Sequence, residues 1–178
     1  MTDAKTMEKK RGRIADYLPL IKAADGLTLG QICRLSDLEP TTIQNWIKRG
    51  YVPHPVMKKY SERHLARILL ISELRECMAI ERIGGLLTYI NGDTDDESDD
   101  IITEERLYDV FCVIADQLDQ GQLPLNRVGE VTAAVDESLA DMSASDKEKI
   151  VCALRIMAYA YAASCCKSEA DKLFNETI

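Results

Sequence analysis

Residues 28–67 hold two short amphipathic segments separated by a tight turn, and this pattern constrains the fold more than any other in the chain. Thr28 followed three residues later by Gln31 is a capping box, which predicts that a helix begins at the residue after Thr28. Pro40 suits the first position of a second helix, and Gly50 suits the left-handed position that ends one. The sequence therefore predicts a helix-turn-helix unit.

The second predicted helix, residues 40–49, has two different faces. Ile43, Trp46 and Ile47 recur at helical spacing and predict its buried side. Asn and Gln amides can pair with adenine edges in a major groove, and Lys and Arg suit guanine or phosphate. We therefore expect the outward side to contact DNA, although any solvated amphipathic helix also has a polar outer face. The outward residues are Thr41, Gln44, Asn45, Lys48 and Arg49.

A basic segment follows this helix. Two prolines, at positions 53 and 55, disfavour both a helix and a central strand, so an extended loop is expected before a new helix that begins at Ser61. Cations and phenols beside a DNA-reading helix bind phosphate oxygens and set its register without reading sequence. The candidates for phosphate contact are Lys58, Lys59, Tyr60, Arg63 and Arg67.

Four stretches of this region resemble the amino-terminal half of the MerR-type winged helix-turn-helix. They are the Pro-Thr-Thr-Ile start at 40–43, the Gly-Tyr-Val-Pro run at 50–53, the Lys-Lys-Tyr-Ser-Glu run at 58–62 and the helix start at 79–83. A closer resemblance is to the bacterial family catalogued as domain of unknown function 1836, which has stretches similar to Thr-Thr-Ile-Gln-Asn-Trp at 41–46 and Pro-Val-Met-Lys-Lys-Tyr at 55–60. The resemblance covers residues 14–91 and implies a DNA-binding class without an assigned operator or ligand.

The charges of the chain are segregated between its halves. Residues 1–90 hold 15 Lys and Arg against 10 Asp and Glu, a net +5, whereas residues 91–178 hold 7 against 20, a net −13. Such asymmetry is a hint that the basic half binds nucleic acid. The basic run at 9–13 could add a phosphate-binding arm, or it could be an ordinary charged terminus.

An acidic run lies between the halves and divides the chain into residues 1–92, a linker at 93–100 and residues 101–178. A solvated linker is the main interpretation. A second is an inhibitory strip that competes with DNA for the basic face. A third is a calcium loop, although its sixth position is Ser98, where glycine makes the required turn. The ligands of that loop would be Asp93, Asp95, Glu97 and Glu104.

The second half predicts three helices, so the expected fold class is all-α. Apolar stripes run through 107–118 and 128–139, and a capping box of Ser145 with Glu148 predicts a third helix that runs to about Phe174. This third helix has apolar residues on more than one side, so it should be covered on two sides, and one cover could be another protomer. The helix after Ser61 also has more apolar residues than a single stripe requires.

Other classes of protein are disfavoured. The longest stretch without a charge, residues 156–166, is shorter than the roughly 20 residues of a membrane helix, and no secretory signal is visible, so we expect a cytoplasmic protein. The six cysteines have no metal-binding spacing and are expected to be free thiols. Only the adjacent Cys165 and Cys166 suggest sensing of a metal or of redox state.

The sequence as a whole predicts a DNA-binding transcriptional regulator. A single module of this size is small, so a homodimer on double-stranded DNA is expected. The acidic half would supply the dimer contact, a cavity for a small-molecule effector or a docking surface for a protein effector. No catalytic, cofactor or metal site is expected, because the motifs of such sites are missing. The alternative is a protein-protein interaction adaptor with no DNA role.

Overall fold

The computed structural model of the protein describes residues 11–121, 135 and 137–178. The prediction of an all-α fold is confirmed for these residues, which form helices and only isolated β-bridges. The helices are α1 (Ile14–Ala23), α2 (Leu29–Ser36), α3 (Pro40–Lys48), α4 (Glu62–Leu74), α5 (Ile80–Asn91), α6 (Glu104–Asp119) and α7 (Ala144–Thr177), with a 3-10 turn at Glu137–Leu139.

The predicted ends of α2 and α3 are confirmed. The backbone N–H of Gln31 donates to the Thr28 hydroxyl over 3.3 Å, and Gln31 Oε1 accepts from the Thr28 backbone N–H over 2.8 Å. Pro40 opens α3, and Gly50 follows its end with a φ of +75°. These ends are set by local chemistry, because a capping side chain satisfies amide groups that have no partner inside the helix.

The ends of α7 differ slightly from the prediction. Its N-cap is Ser143, whose hydroxyl accepts from the Asp146 backbone N–H over 3.2 Å, so the predicted box of Ser145 with Glu148 is wrong. Ser143 with Asp146 has the same spacing as Ser145 with Glu148, and capping by Ser143 makes the helix longer. Most of the helix predicted over 128–139 lies outside the described residues.

The central helix is α4, which packs against α1, α2, α5, α6 and α7. Contacts on so many sides explain why its apolar residues exceed a single stripe, and one continuous core therefore includes residues from both halves of the chain. Burial of each leucine or isoleucine side chain in this core stabilises the fold by roughly 1.5–3 kcal/mol. The fully buried apolar residues of α4 are Leu65, Ala66, Ile68, Leu70, Ile71 and Leu74.

Two arginines just before α1, Arg11 and Arg13, attach the start of the described range to α6. Arg11 Nη1 lies 2.6 Å from Asp119 Oδ2, and Arg13 Nη2 lies 2.7 Å from Asp116 Oδ2. The Arg11 guanidinium also lies 4.7 Å from the centre of the Tyr161 ring of α7. These two cations therefore serve the fold, whereas the other basic residues of the predicted arm lie outside the described range.

Helix α7 contains an 18-residue window of mean hydropathy 1.3, apolar and long enough to cross a membrane by length and composition. Of that window, 44% is buried inside the protein, and the core helix of a soluble protein passes the same test. The window is therefore weak evidence for a membrane span.

Two adjacent glycines of α5 provide a test of this packing. A Cβ on Gly84 would lie 2.6 Å from Tyr51 Cδ1, whereas a Cβ on Gly85 would meet nothing within 4 Å. We expect Gly84→Ala to destabilise the protein by about 1–3 kcal/mol because the ring must move. Gly85→Ala should stabilise it by about 0.5–1 kcal/mol through helix propensity alone. Urea unfolding would measure both, and equal effects would contradict this packing of α5 on Tyr51.

Candidate nucleic-acid interface

The outward face of α3 is free of contacts that would bury it. Ile43 is 0% exposed and Trp46 is 5% exposed, so the opposite face of the helix is fixed in the core, where α3 packs against α2. The predicted contact residues on the outward face, Thr41, Gln44, Asn45 and Lys48, are all exposed.

The end of α3 is held by Trp46 and by the residues that follow the helix. The Tyr51 backbone N–H donates to the Trp46 carbonyl over 2.9 Å, and the Arg75 guanidinium lies 5.9 Å from the centre of the Trp46 ring. Arg49 is exposed but engaged, since its Nη2 lies 2.6 Å from Glu81 Oε1 and its guanidinium lies over the Tyr51 ring. The charge of Arg49 is thus partly neutralised by the protein itself.

The loop after α3 forms a tight turn that the sequence did not predict. Val56 and Lys59 form an antiparallel bridge, and the two residues between them, Met57 and Lys58, have φ values of +49° and +63°. Positive φ at both central residues is a property of type I′ hairpin turns, which favour Asn and Gly. Met57 is 93% exposed, and Lys58 is exposed beside it at the tip. This tip presents one cation next to an apolar side chain.

Two of the predicted phosphate-binding residues have roles inside the fold. Lys59 Nζ donates to the Ala24 carbonyl over 2.7 Å and to the Gly26 carbonyl over 3.3 Å, so it satisfies groups at the end of α1. Tyr60 is 4% exposed, and its ring contacts the His64 ring with 5.5 Å between centroids.

Arg63 and Arg67 are buried, and both are paired with acidic residues. Arg63 Nη1 lies 3.0 Å from Glu97 Oε1, and its Nη2 lies 3.6 Å from Asp100 Oδ2. Arg67 Nη1 pairs with Glu104, and the side chains of these two residues are 2% and 0% exposed. Neither guanidinium can reach a phosphate without losing its buried partner.

Arg67 also connects three separate parts of the chain. Its Nε donates to the Tyr51 carbonyl over 2.7 Å, and its Nη2 donates to the Thr94 hydroxyl over 3.1 Å. Together with Glu104 at the start of α6, these bonds join the loop after α3, the acidic segment and α6 through α4. Glu104 would be the twelfth-position ligand of the calcium loop, but its carboxylate is paired with Arg67 instead.

The acidic segment packs beside α4 and leaves the outward face of α3 exposed. Its two ends are joined by Asn91, whose Nδ2 donates to the Ile102 carbonyl over 2.7 Å. Asp95 Oδ1 accepts from the His54 backbone N–H over 2.9 Å. The segment thus neutralises Arg63 and contacts the loop after α3, but it does not lie over the residues of α3 that we expect to contact DNA.

The cysteine pair of α7 is divided between two environments. Cys165 Sγ lies 3.9 Å from Asp119 Oδ1, and burial raises the pKa of the Cys165 thiol, which disfavours the reactive thiolate. Cys166 is exposed. Among the described residues, no group of three or more His, Cys, Asp or Glu side chains could hold a metal ion.

Asp100 makes the stability of this region depend on pH. Burial raises the pKa of Asp100 to about 6, against the opposing effect of Arg63, and Glu104, Asp99 and Glu97 raise it further. The folded protein therefore keeps this proton to a higher pH than the unfolded chain, and ionisation of Asp100 lowers stability as the pH rises through about 6.

Asp100→Asn cannot ionise, so its stability relative to the wild type should increase between about pH 5 and pH 7.5. The expected gain is about 1 kcal/mol once solvent screening is allowed for. Chemical unfolding of both proteins at the two pH values would measure it. A difference that does not change with pH would contradict the raised pKa.

Comparison with known proteins supports the second resemblance seen in the sequence. Residues 26–111 match the family model described as domain of unknown function 1836. The match covers α2 to α5 and the first half of α6. A similar protein is the uncharacterized protein YkrK of Bacillus subtilis (strain 168), 31% identical over 100 residues. The alignment covers 54% of this chain and 43% of YkrK, so the chain spans less than half of that relative. No solved structure is significantly similar to the chain.

Proposed function

We propose that the protein is a bacterial DNA-binding transcriptional regulator that places α3 in the major groove of a duplex. The observation that carries the proposal is the outward face of α3, where two amide side chains, Gln44 and Asn45, are exposed while Ile43 and Trp46 fix the opposite face. A helix held rigidly by one face, with amides and a cation on the other, is what base recognition requires.

The surroundings of α3 support the same proposal. Lys58 stands at the tip of the tight turn that follows the helix, where a cation would bind a phosphate oxygen and orient α3. The order of segments also resembles the MerR-type helix-turn-helix, with α2 and α3 as its two helices. We exclude the buried Tyr60, Arg63 and Arg67, and the internally bonded Lys59, from the proposed contact surface because each serves the fold.

The proposed DNA contact is small, and a homodimer would double it. A dimer on two half-sites would read both with identical helices, and the spacing of the half-sites would follow from the geometry of the dimer.

Selection from a library of random duplexes would test base reading. We expect the wild type to enrich a short sequence and Asn45→Ala to lose the preference at one base pair, since a good bidentate pair gives about 1–3 kcal/mol of discrimination. Lys58→Ala is the matched comparison, because removal of a phosphate contact should weaken all sequences alike. A folded wild type that enriches no sequence would contradict base reading and favour the adaptor function.

A further inference from the structure

The outer face of α7 carries a continuous row of apolar and small side chains. Its positions alternate in steps of four and three residues, which is the heptad spacing of a helix that pairs with another helix. We define the α7 stripe as the eight residues Cys152, Ile156, Tyr159, Ala163, Cys166, Ala170, Leu173 and Thr177. All eight side chains are exposed, with Ile156 at 42%, Tyr159 at 52% and Leu173 at 54%.

The two halves of the stripe have different surroundings in the fold. The first half lies on the body of the protein, where the other side of α7 is buried as far as Ala162. No residue of α7 beyond Ala162 is buried by the described part of the protein, so residues 163–177, the projecting part, extend for about 22 Å past the buried part of the helix, with Cys165 and Lys167 still in contact with Asp119 and Glu76 near their start. A segment of this length forms only a marginal helix in water by itself, so a partner along its stripe would stabilise it.

We propose that the partner is a second copy of this chain, with the two α7 helices antiparallel along their stripes. The stripe on the body and the stripe on the projecting part are equal in length, so an antiparallel pair covers both in each copy. Ile156 then faces Leu173 of the partner subunit, Tyr159 faces the partner's Ala170, and Ala163 faces the partner's Cys166. The Tyr159 layer thus pairs a large side chain with a small one, whereas the Ile156 layer pairs two large apolar side chains and the Ala163 layer pairs two small ones that let the helices approach closely.

The charges beside the stripe agree with this register. Arg155 and Glu176 lie on the same flank of α7, are both exposed and form no salt bridge among the described residues. They are about 31 Å apart in one helix, too far to pair within a chain. In the antiparallel pair, Arg155 faces Glu176 of the partner subunit at both ends of the contact. A parallel pair would place Arg155 against the partner's Ala160 and form no such bridge.

A cavity beside the first half of the stripe gives the partner a place to bind. Its volume is about 550 Å³, and Ile156, Tyr159 and Ala160 line it together with Cys77, Met78, Ala79 and Arg82. Lys167, on the flank of α7 nearest to this cavity, lies 3.5 Å from Glu76. The antiparallel register brings Phe174 of the partner subunit to the same flank, beside Ala153 and next to Ile156 at the edge of this cavity. Phe174 is 61% exposed in the single chain and would be covered there.

The inference supplies a geometry for the homodimer of the proposed function, but it is tested without DNA. A monomer that still binds duplex would count against the α7 pairing and leave the DNA contact of α3 standing, and a dimer that binds no duplex would count against the DNA contact alone. Light scattering of the full chain across a range of concentrations should show a dimer. Leu173→Asp should shift it to a monomer, whereas the matched control Ser168→Asp, on the opposite face of the projecting part, should not.

Charge exchange tests the partner contact directly. Arg155→Glu should weaken the dimer roughly ten-fold, since it places two like-charged pairs at the contact. Adding Glu176→Arg in the same chain should restore it, because the exchanged charges attract again. Failure of the second substitution to restore the dimer would overturn the register.

Disulfide formation separates the antiparallel pair from a parallel one. In a chain whose accessible cysteines are replaced by serine, Tyr159→Cys with Ala170→Cys should form interchain disulfides on oxidation. Ala170→Cys alone should not, because the two thiols would be about 16 Å apart along the antiparallel helices, beyond the reach of a disulfide. Efficient cross-linking of the single variant would indicate a parallel pair and overturn the proposal.

Discussion

Glu104→Leu should destabilise the protein by about 3–5 kcal/mol, because it leaves the Arg67 guanidinium buried without its carboxylate. The Arg67 side chain is 2% exposed and that of Glu104 is 0% exposed, so water cannot replace the lost partner. Urea unfolding followed by circular dichroism would measure the loss.

The control is the double variant Arg67→Met with Glu104→Leu, which removes both charges and fills the space with apolar groups. Replacement of a whole buried pair is often neutral or better, so most of the loss should be recovered. Recovery should be incomplete by about 1–3 kcal/mol, because the Tyr51 carbonyl also loses its bond from Arg67 Nε. A double variant no more stable than Glu104→Leu would contradict this account of the pair.

Lys48→Glu combined with Lys58→Glu should lower duplex affinity by about 100-fold at low salt. Each substitution removes a cation from the proposed contact surface and adds a charge that phosphates repel. Both lysines are exposed, so the fold should tolerate the change. Fluorescence anisotropy with a labelled duplex would measure the affinity, and circular dichroism would confirm that the variant is folded.

Lys149→Glu with Lys172→Glu is the matched control. It changes the net charge of the chain by the same amount at two exposed positions of α7 that lie outside the stripe. Its duplex affinity should fall far less than that of the α3 variant. Equal losses would show that net charge alone governs binding, and the proposed surface would then be wrong.

The helices of the candidate interface could be predicted because their signals are local. Thr28 with Gln31 and Pro40 fix the starts of α2 and α3 through bonds and torsion angles that span a few residues. The spacing of Ile43 and Trp46 then fixes which side of α3 is outward. These steps need no knowledge of the rest of the fold.

The arginines could not be placed in the same way. Arg63 and Arg67 look like phosphate ligands in sequence, but their partners Glu97 and Glu104 come from the acidic segment and from α6, more than 30 residues later. The type of a cationic side chain does not show whether it faces water or a carboxylate brought to it by tertiary packing. Lys59 turns inward for a similar reason, since its acceptors lie at the end of α1.

The turn at Met57 and the exposed face of α7 are two further features that could not be predicted from the sequence. Neither Met57 nor Lys58 is a residue that favours positive φ, and the bridge of Val56 with Lys59 holds both there. In α7, the sequence predicted apolar residues on more than one side but not which side the body would cover. Burial up to Ala162 assigns the inner face to the core and leaves the outer stripe exposed.

The most direct test of the central claim is the binding of the full wild-type chain to a labelled duplex at about 50 mM and about 200 mM salt. A cationic reading surface predicts tight binding at the lower concentration and a steep loss at the higher one, since bound phosphates release counterions. A folded protein that retains no duplex even at the lower concentration would contradict a DNA-binding role for α3.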